Sequence, residues 1–524
     1  MKGRSENGSH PSAYSCIFIF ITNVINHHLY QTKVLKTIFS NKTFQLYFLV
    51  FLTLLILLGR QLDTGMKNYD DAFYAQKAKE VYESGDLWVI TFAGVPDFAN
   101  PPLPLWLMAL AYSVFGISSF SAIFPSALFG VGIVFLTYRL ASYFYKDTWI
   151  AFVASLVLIF PGIFIDYSRR AMVDIPLTFF VTFALFAFFK AKNHKQWYLV
   201  FGLATAGGIL SKSVLGLFPL AIVFLYLLVN RQWKEFINPF LALGTILGVG
   251  LGFSWHWVNW LEFEQLFLDV HFGAVFFGGD CGNSGFRCNY LGYLKDFYEY
   301  YWPWLPFTLI GLYKFGKSGF IEKDENSLFI FLWATLVFVI LSTSNNQTIR
   351  YLFMVFPALS IIVAKTLYDW LGPAWKERVV GVLAGVACLT ALFVNSTPFQ
   401  AKVSLKESSK GVRQLASIIK LNTPENEMLG NFKLDFWRPK HAMLFYSDRD
   451  MEPPINKEEL LRQSQHNPKK MWLSDTAEFK ALNAQAPGYF YLIQANSEYA
   501  FFTSSQNRDF VLYDFSDMKI PNVK

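Results

Sequence analysis

The chain has 524 residues, of which 53% are hydrophobic, 19% aromatic and only 16% charged, where a soluble domain carries about a quarter charged residues. Its apolar residues fall in blocks of roughly 17–20, long enough to cross a hydrocarbon core, so the composition excludes a soluble enzyme and reads as a polytopic membrane protein. The net charge of +7 belongs to basic loops, and the lack of a Lys/Arg cluster interleaved with stacking aromatics excludes a nucleic-acid binder.

Residues 1–43 are polar and mixed. The run Cys16–Ile21 is too short to span, no signal-peptide cleavage site is evident, and Lys33, Lys36 and Lys42 precede the first real span. That order predicts a cytoplasmic N-terminus. The expected spans are Phe44–Leu58, Phe120–Tyr138, Trp149–Phe164, Ile175–Phe189, Trp197–Leu210, Val214–Val229, Ile237–Trp255, Pro303–Tyr313, Leu328–Leu341, Tyr351–Leu367 and Val379–Val394, about eleven in all. Leu103–Phe115 is apolar but short, and reads as interfacial or re-entrant. Loops after even-numbered spans are rich in Lys and Arg: Arg139 to Lys146, Lys190 to Lys195, Arg231 to Lys234, Lys314 to Lys323 and Lys376 to Arg378. The loops left for the outer side are 60–119, Ser168–Asp174, Leu261–Tyr301 and Ser342–Arg350.

From about residue 397 the composition becomes charged, with short alternating runs: Lys410–Lys420 and Lys457–Gln463 as helices, Met471–Leu473, Tyr489–Ile493 and Phe510–Tyr513 as strands. The expected organisation is a mainly α polytopic membrane protein. It has a cytoplasmic segment 1–43, a transmembrane module 44–396 with outer loops 60–119 and 261–301, and a small extracytoplasmic α/β domain 397–524.

Four clusters carry the candidate chemistry. Asp70 and Asp71 stand just after the first span and open an amphipathic helix on which Tyr74, Ala78, Val81 and Tyr82 share a face; Gly85 ends it. The pair is either a helix N-cap or a general base. Arg169, Arg170 and Asp174 crowd a short turn between two spans: a snorkelling arginine pair with a capping acid, or an anion site with a second acid. Arg350 and Tyr351 lie at the mouth of a late span, as interfacial anchors or as a phosphate grip. Lys212 sits between two spans and either contacts a lipid phosphate or caps a turn. Lone histidines such as His256 and His271 are more often structural than ligands, so no metal site is expected; an acid cluster leaves room for a divalent cation. Cys281 and Cys288 share one outer loop, either as a disulfide or as two free thiols. No Gly-rich nucleotide loop, Walker motif or Ser/His/Asp pattern is present. An enzyme working outside the cytoplasm therefore needs its activated donor attached to lipid.

The order Asp70-Asp71-x-x-Tyr74, Ser84-Gly85-Asp86-Leu87-Trp88, then Pro101-Pro102-Leu103-Pro104-Leu105-Trp106-Leu107 resembles the polyprenyl-phosphate-sugar glycosyltransferases of the GT-C fold. The likeness is to the lipid A aminoarabinose transferase and dolichyl-phosphate-mannose–protein mannosyltransferase-like group. Arg170-x-x-x-Asp174-Ile-Pro-Leu-Thr and Arg350-Tyr351-Leu-x-x-x-Phe-Pro-Ala-Leu look like that group's later signatures, and the likeness covers most of residues 44–370. The resemblance implies that Asp70 is the catalytic acid, Asp71 its acidic neighbour, Asp174 a second functional acid, and Tyr74, Arg350 and Tyr351 donor-site residues. There are departures: Ala99-Asn100 stand where the lipid A enzymes carry Glu-Lys, Phe73 replaces a basic residue and Asp97 an aromatic one. These put aminoarabinose and lipid A in doubt as sugar and acceptor.

The expected activity is inverting transfer of a monosaccharide from a polyprenyl-phosphate donor to a lipid, protein or glycan acceptor outside the cytoplasm, in a multi-pass membrane, with Arg170 and Lys212 joining the phosphate site. The rivals are a transporter or flippase of a lipid-linked intermediate, whose acids would sit near mid-membrane, and a silent membrane scaffold.

Overall fold

The computed structural model describes residues 41–59, 65–66, 69–273, 292–344, 347–396, 410–435 and 437–507. The chain opens with α1 (Lys42–Leu58), α2 (Tyr69–Ser84), a small hairpin of β1 (Thr91–Phe92) and β2 (Val95–Pro96), then α3 (Leu103–Phe115), α4 (Ser119–Tyr145), α5 (Thr148–Ile159) and α6 (Gly162–Ser168). It continues with α7 (Asp174–Ala191), α8 (Trp197–Lys212), a 3-10 turn (Ser213–Leu217), α9 (Phe218–Val229), α10 (Trp233–Phe236), α11 (Pro239–Gly252), α12 (Ser254–Phe272), α13 (Gly292–Tyr300), α14 (Leu305–Phe320) and α15 (Glu325–Ser342). A second 3-10 turn (Ile349–Val355), α16 (Phe356–Trp370) and α17 (Pro373–Val394) complete the bundle.

Local chemistry sets the boundaries. Asn41, Asp147 and Asp324 accept hydrogen bonds from the first free amides of α1, α5 and α15, which otherwise have no partner. Pro161 cannot continue a helix, and the stretch expected as one span, Trp149–Phe164, splits there into α5 and α6, bent by 72°. Gly85 ends α2 at φ +72°, its amide bonding Val81 O at 3.0 Å.

Among the described residues six helical stretches are long and apolar enough to cross a membrane, or eight if α5–α6 and α11–α12 each count as one bent span. That is fewer than the expected count of about eleven. α1 and α3 are shorter apolar helices, and the Pro303–Tyr313 block is α14, which carries Lys314 and Lys317 in its second half. Trp197–Val229 forms one 33-residue apolar stretch, yet the chain reverses inside it. Ser213 adopts φ +48°, ψ −129°. Lys212 pairs with Asp174 at the start of α7, while Tyr226 on α9 meets Lys192 just past the end of α7, at 3.0 Å. α8 and α9 therefore run in opposite directions beside α7.

Packing between helices relies on close approach, because lipid gives apolar faces no incentive to pair. Gly202, Gly244 and Gly248 let α8 and α11 touch; a Cβ on Gly244 would stand 2.1 Å from Tyr198 O. At one end of the bundle the basic loops gather. Lys192, Tyr226 and Gln232 bond Glu325, Asn326 donates to Phe144 O, and Trp149 Nε1 donates to Lys376 O.

The C-terminal residues form a four-stranded sheet of β3 (Gly430–Phe432), β4 (Met471–Asp475), β6 (Tyr499–Ser504) and β5 (Phe490–Ala495), in that spatial order. β3 and β4 are parallel and the other pairs antiparallel. Helices α18 (Lys410–Asn422), α19 (Trp437–Ser447), α20 (Lys457–His466) and α21 (Thr476–Gln485) flank it. The unit is not detached from the bundle. Val412, Leu415, Met443 and Phe501 share one core with Ala72, Ala75 and Ala78 of α2, Met108 of α3 and Met172. Lys79 of α2 pairs with Asp448, and the Met66 amide donates to Tyr446 Oη at 2.9 Å. The expected strand Phe510–Tyr513 and the cysteines Cys281 and Cys288 lie outside the described residues.

Candidate active site at the acidic end of the bundle

The acids, arginines and lysine singled out in the sequence meet at the end of the bundle opposite the basic loops. α2 brings Asp70 and Asp71 in its first turn. Consecutive helical positions point about 100° apart, so the two carboxylates face different partners. Asp70 Oδ2 accepts from Arg350 Nη1 at 2.5 Å, with about a quarter of each side chain exposed (26% and 23%). Asp71 Oδ1 accepts from Arg170 Nε at 3.0 Å, with the two side chains 1% and 7% exposed.

Arg170 also faces Asp166 at 3.6 Å and lies over the Tyr167 ring at 4.5 Å. Burial alone would lower its pKa, but Asp71 and Asp166 outweigh that and hold it above the ordinary arginine value. Arg169 takes a different role. Its Nη1 donates to Ile56 O at 2.5 Å and its Nη2 to Gly59 O at 3.3 Å, so it ties off the last carbonyls of α1. Burial brings its pKa down to about 10. The expected anion-binding pair is thus divided, with one arginine closing a helix and one holding an acid.

Lys212 at the end of α8 pairs with Asp174 at the start of α7, whose side chain is 2% exposed. The Lys212 ammonium lies 4.3 Å from the Tyr351 ring centroid and the Arg350 guanidinium 5.4 Å from the same ring, so one aromatic ring supports both cations. Arg350 interacts electrostatically with Asp174, Tyr351, Asp70 and Tyr74, which joins the four sequence clusters into one. Burial, and next the charge of Asp70, push the Tyr74 phenol well above its ordinary value, so it stays a hydrogen-bond donor. Asp174 Oδ2, Arg170 Nη2 and Arg350 Nε have no hydrogen-bond partner among the described residues. Buried charged groups are rarely left so, and the cluster has donors and an acceptor to offer a ligand.

Sequence reasoning missed Lys77, which is completely buried. Its Nζ donates to Asp97 Oδ1 at 2.6 Å, reaches Asn100 Oδ1 at 3.5 Å and lies 4.5 Å from the Phe73 ring centroid. Burial lowers its pKa, and Asp97 opposes that shift. The signal was available: Asp70, Tyr74 and Lys77 follow i, i+4, i+7 and share a face of α2. Glu80, one turn on, accepts from Thr91 Oγ1 at 2.6 Å and from the Ala93 amide at 2.8 Å, which fixes the hairpin over α2. No group of three or more His, Cys, Asp or Glu among the described residues is placed to hold a metal ion. The short α3, expected as interfacial or re-entrant, leaves Leu110 and Val114 exposed and anchors to α2 through Tyr112 Oη, which donates to Ala75 O at 3.0 Å.

Comparison with known proteins gives the same fold. The family described as dolichyl-phosphate-mannose-protein mannosyltransferase matches residues 99–258, less than half of the chain. An uncharacterised protein of Aquifex aeolicus is 27% identical over 306 residues, covering 57% of this chain and 59% of that protein. The undecaprenyl phosphate-alpha-4-amino-4-deoxy-L-arabinose arabinosyl transferase 2 of Sodalis glossinidius is 23% identical over 339 residues, covering 61% of this chain and 59% of that protein. The chain thus spans less than two thirds of the length of these curated relatives. The crystal structure of ArnT from Cupriavidus metallidurans bound to undecaprenyl phosphate superposes with a TM-score of 0.70 at 16% identity, covering 87% of this chain and 97% of that one.

Proposed function

We propose, from the premise that this chain has the fold of the ArnT transferase, that it is a membrane glycosyltransferase. It moves a monosaccharide from a polyprenyl-phosphate donor to a hydroxyl of a lipid, protein or glycan. The observation that carries this reading is the Asp70–Arg350 pair, about a quarter exposed, in a cluster that also holds Lys212, Asp174, Tyr351 and Tyr74.

The donor phosphate is anionic, and Arg350, Lys212, Tyr351 and Tyr74 supply its hydrogen bonds and charge. When phosphate takes over Arg350, Asp70 is released from its ion pair beside the reacting carbon. The acceptor oxygen attacks the anomeric carbon and its proton passes to Asp70. The bond from that carbon to the phosphate oxygen breaks, and the lipid phosphate leaves with the electron pair. A single displacement inverts the anomeric centre. Asp174 keeps Lys212 turned into the site, and Asp71 with Arg170 fixes the helix that presents Asp70. Any divalent cation would be an addition to this scheme and not a requirement of it.

The basic loops gathered at the opposite end support a cytoplasmic position for that end. In this reading residues 1–43 are cytoplasmic, residues 44–396 form the catalytic module, and the site and residues 397–524 face outward. The acids lie at helix ends and not at mid-bundle, which favours an enzyme over a carrier.

The test is complementation of a deletion strain, with mass spectrometry of its lipid-linked sugars and glycans. The wild-type gene should clear an accumulated polyprenyl-phosphate sugar, and Asp70→Asn, at equal membrane abundance, should leave it accumulated. Clearance by Asp70→Asn would reject the assignment.

A further inference from the structure

Directly after Lys212 the chain makes a turn that glycine would make more easily. Ser213 holds φ +48° and ψ −129°, backbone angles strained for an L-residue. The serine there is 2% exposed, and its hydroxyl lies between two buried imidazoles of α12: 3.0 Å from His256 Nε2 and 2.9 Å from His271 Nε2. His271 Nδ1 is 2.6 Å from Phe98 O.

The chemistry of the groups orients every proton. A carbonyl only accepts, so His271 carries its hydrogen on Nδ1. A charged imidazole buried without a carboxylate is costly, so the ring is neutral and its Nε2 accepts from the Ser213 hydroxyl. The Ser213 oxygen in turn accepts from His256 Nε2. His256 Nδ1 has no partner among the described residues, so this ring works through one nitrogen and His271 through both. The far end of the chain of bonds is equally placed. Phe98 follows Asp97, which holds Lys77 on the helix of Asp70, and the Phe98 ring packs with Trp255 and Phe267 of α12.

We propose that Ser213, His256 and His271 are positioning residues that hold the Lys212 turn and lock it to the 97–100 loop. They fix the distance between the Lys212 ammonium and the helix carrying the base. The proposal rests on reading Lys212 as a donor-phosphate contact. It explains why a strained turn keeps a serine, and why two histidines outside the charged cluster are buried against it.

The test uses purified full-length protein with undecaprenyl phosphate as the probe and undecaprenol, the same chain without phosphate, as the control. Lys212→Met sets the scale of the loss. Ser213→Ala, His271→Leu and His256→Leu should each weaken undecaprenyl phosphate binding roughly fivefold to tenfold, the size of one or two hydrogen bonds, with undecaprenol binding unchanged. His256→Gln should restore binding, because its amide nitrogen stands where Nε2 stood. His271→Gln should not, because it cannot serve Ser213 and Phe98 together. Should His271→Leu fail to fold, Ser213→Ala decides alone, since it removes one oxygen.

Wild-type binding by Ser213→Ala together with loss in Lys212→Met would overturn the relay while leaving the donor site standing. A parallel fall in undecaprenol binding would also overturn it, as general misfolding. Unchanged binding by Lys212→Met would remove the donor-site reading of that lysine, and the relay with it.

Discussion

Asp70–Arg350 and Asp71–Arg170 are the same ion pair in chemical terms, formed from adjacent residues of one helix, but their surroundings differ. The first pair is about a quarter exposed on both sides, at 2.5 Å. The second is all but sealed, at 3.0 Å. A buried pair is weak evidence for net stability, yet removing one member leaves an uncompensated charge. An accessible pair can exchange its partner for a ligand. The comparison teaches that a single residue step along a helix can separate an accessible acid from a sealed one: in the proposed reading Asp70 changes partners, while Asp71 anchors α2 to the turn after α6.

The sharpest way to break this division is at the acids themselves. Asp70→Asn should lower sugar transfer by about 10²–10⁴-fold, the range for a general base, with unchanged thermal unfolding in detergent. An active Asp70→Asn enzyme would end the distinction. Asp71→Ala should act on stability, by about 3–5 kcal/mol, read as a lower unfolding midpoint and lower membrane abundance. Combining it with Arg170→Met should recover most of that loss, because the stranded charge is gone. If Asp71→Ala instead folds normally and is as inactive as Asp70→Asn, both acids belong to the chemistry.

The arginines sharpen the same contrast. Arg350→Lys keeps the charge but loses the planar fork, and should reduce kcat/KM by roughly 10-fold to 100-fold, the size of one charged hydrogen bond. The smallest effect is expected at the outer edge of α2. Lys79→Met breaks the contacts to Asp448 and Phe445 O that help seat the C-terminal unit, and should lower stability by about 1 kcal/mol, with transfer retained. Full loss of transfer there would mean that the C-terminal unit takes part in forming the site.

Much of the site was visible in the linear chain, though only as pieces. Asp70 and Asp71 stood out as paired acids opening an amphipathic helix after an apolar block, and Tyr74 through the Asp-Asp-x-x-Tyr resemblance. Arg170, Asp174, Lys212 and Arg350 were legible because charge beside hydrocarbon is costly. Lys77 was not singled out because nothing local sets it apart from Lys79 and Glu80; only the fold buries it, against Asp97 and the Phe73 ring. Arg169 and Arg170 read as equivalents, and only the nearness of the α1 carbonyls to one of them separated their roles. His256 and His271 read as unrelated structural histidines, since nothing in their spacing pointed to Ser213.

Apolar block lengths, capping side chains and proline breaks act within a few residues, so the amino-acid order alone determined that this is a multi-pass helical membrane protein, with acids and arginines at helix ends. It could not determine which arginine meets which acid. Asp71 and Arg170 are 99 residues apart and Asp70 and Arg350 are 280 apart. Those pairings follow from how helices pack side by side and how far each is rotated about its axis, quantities that depend on the whole bundle and on no local stretch of chain.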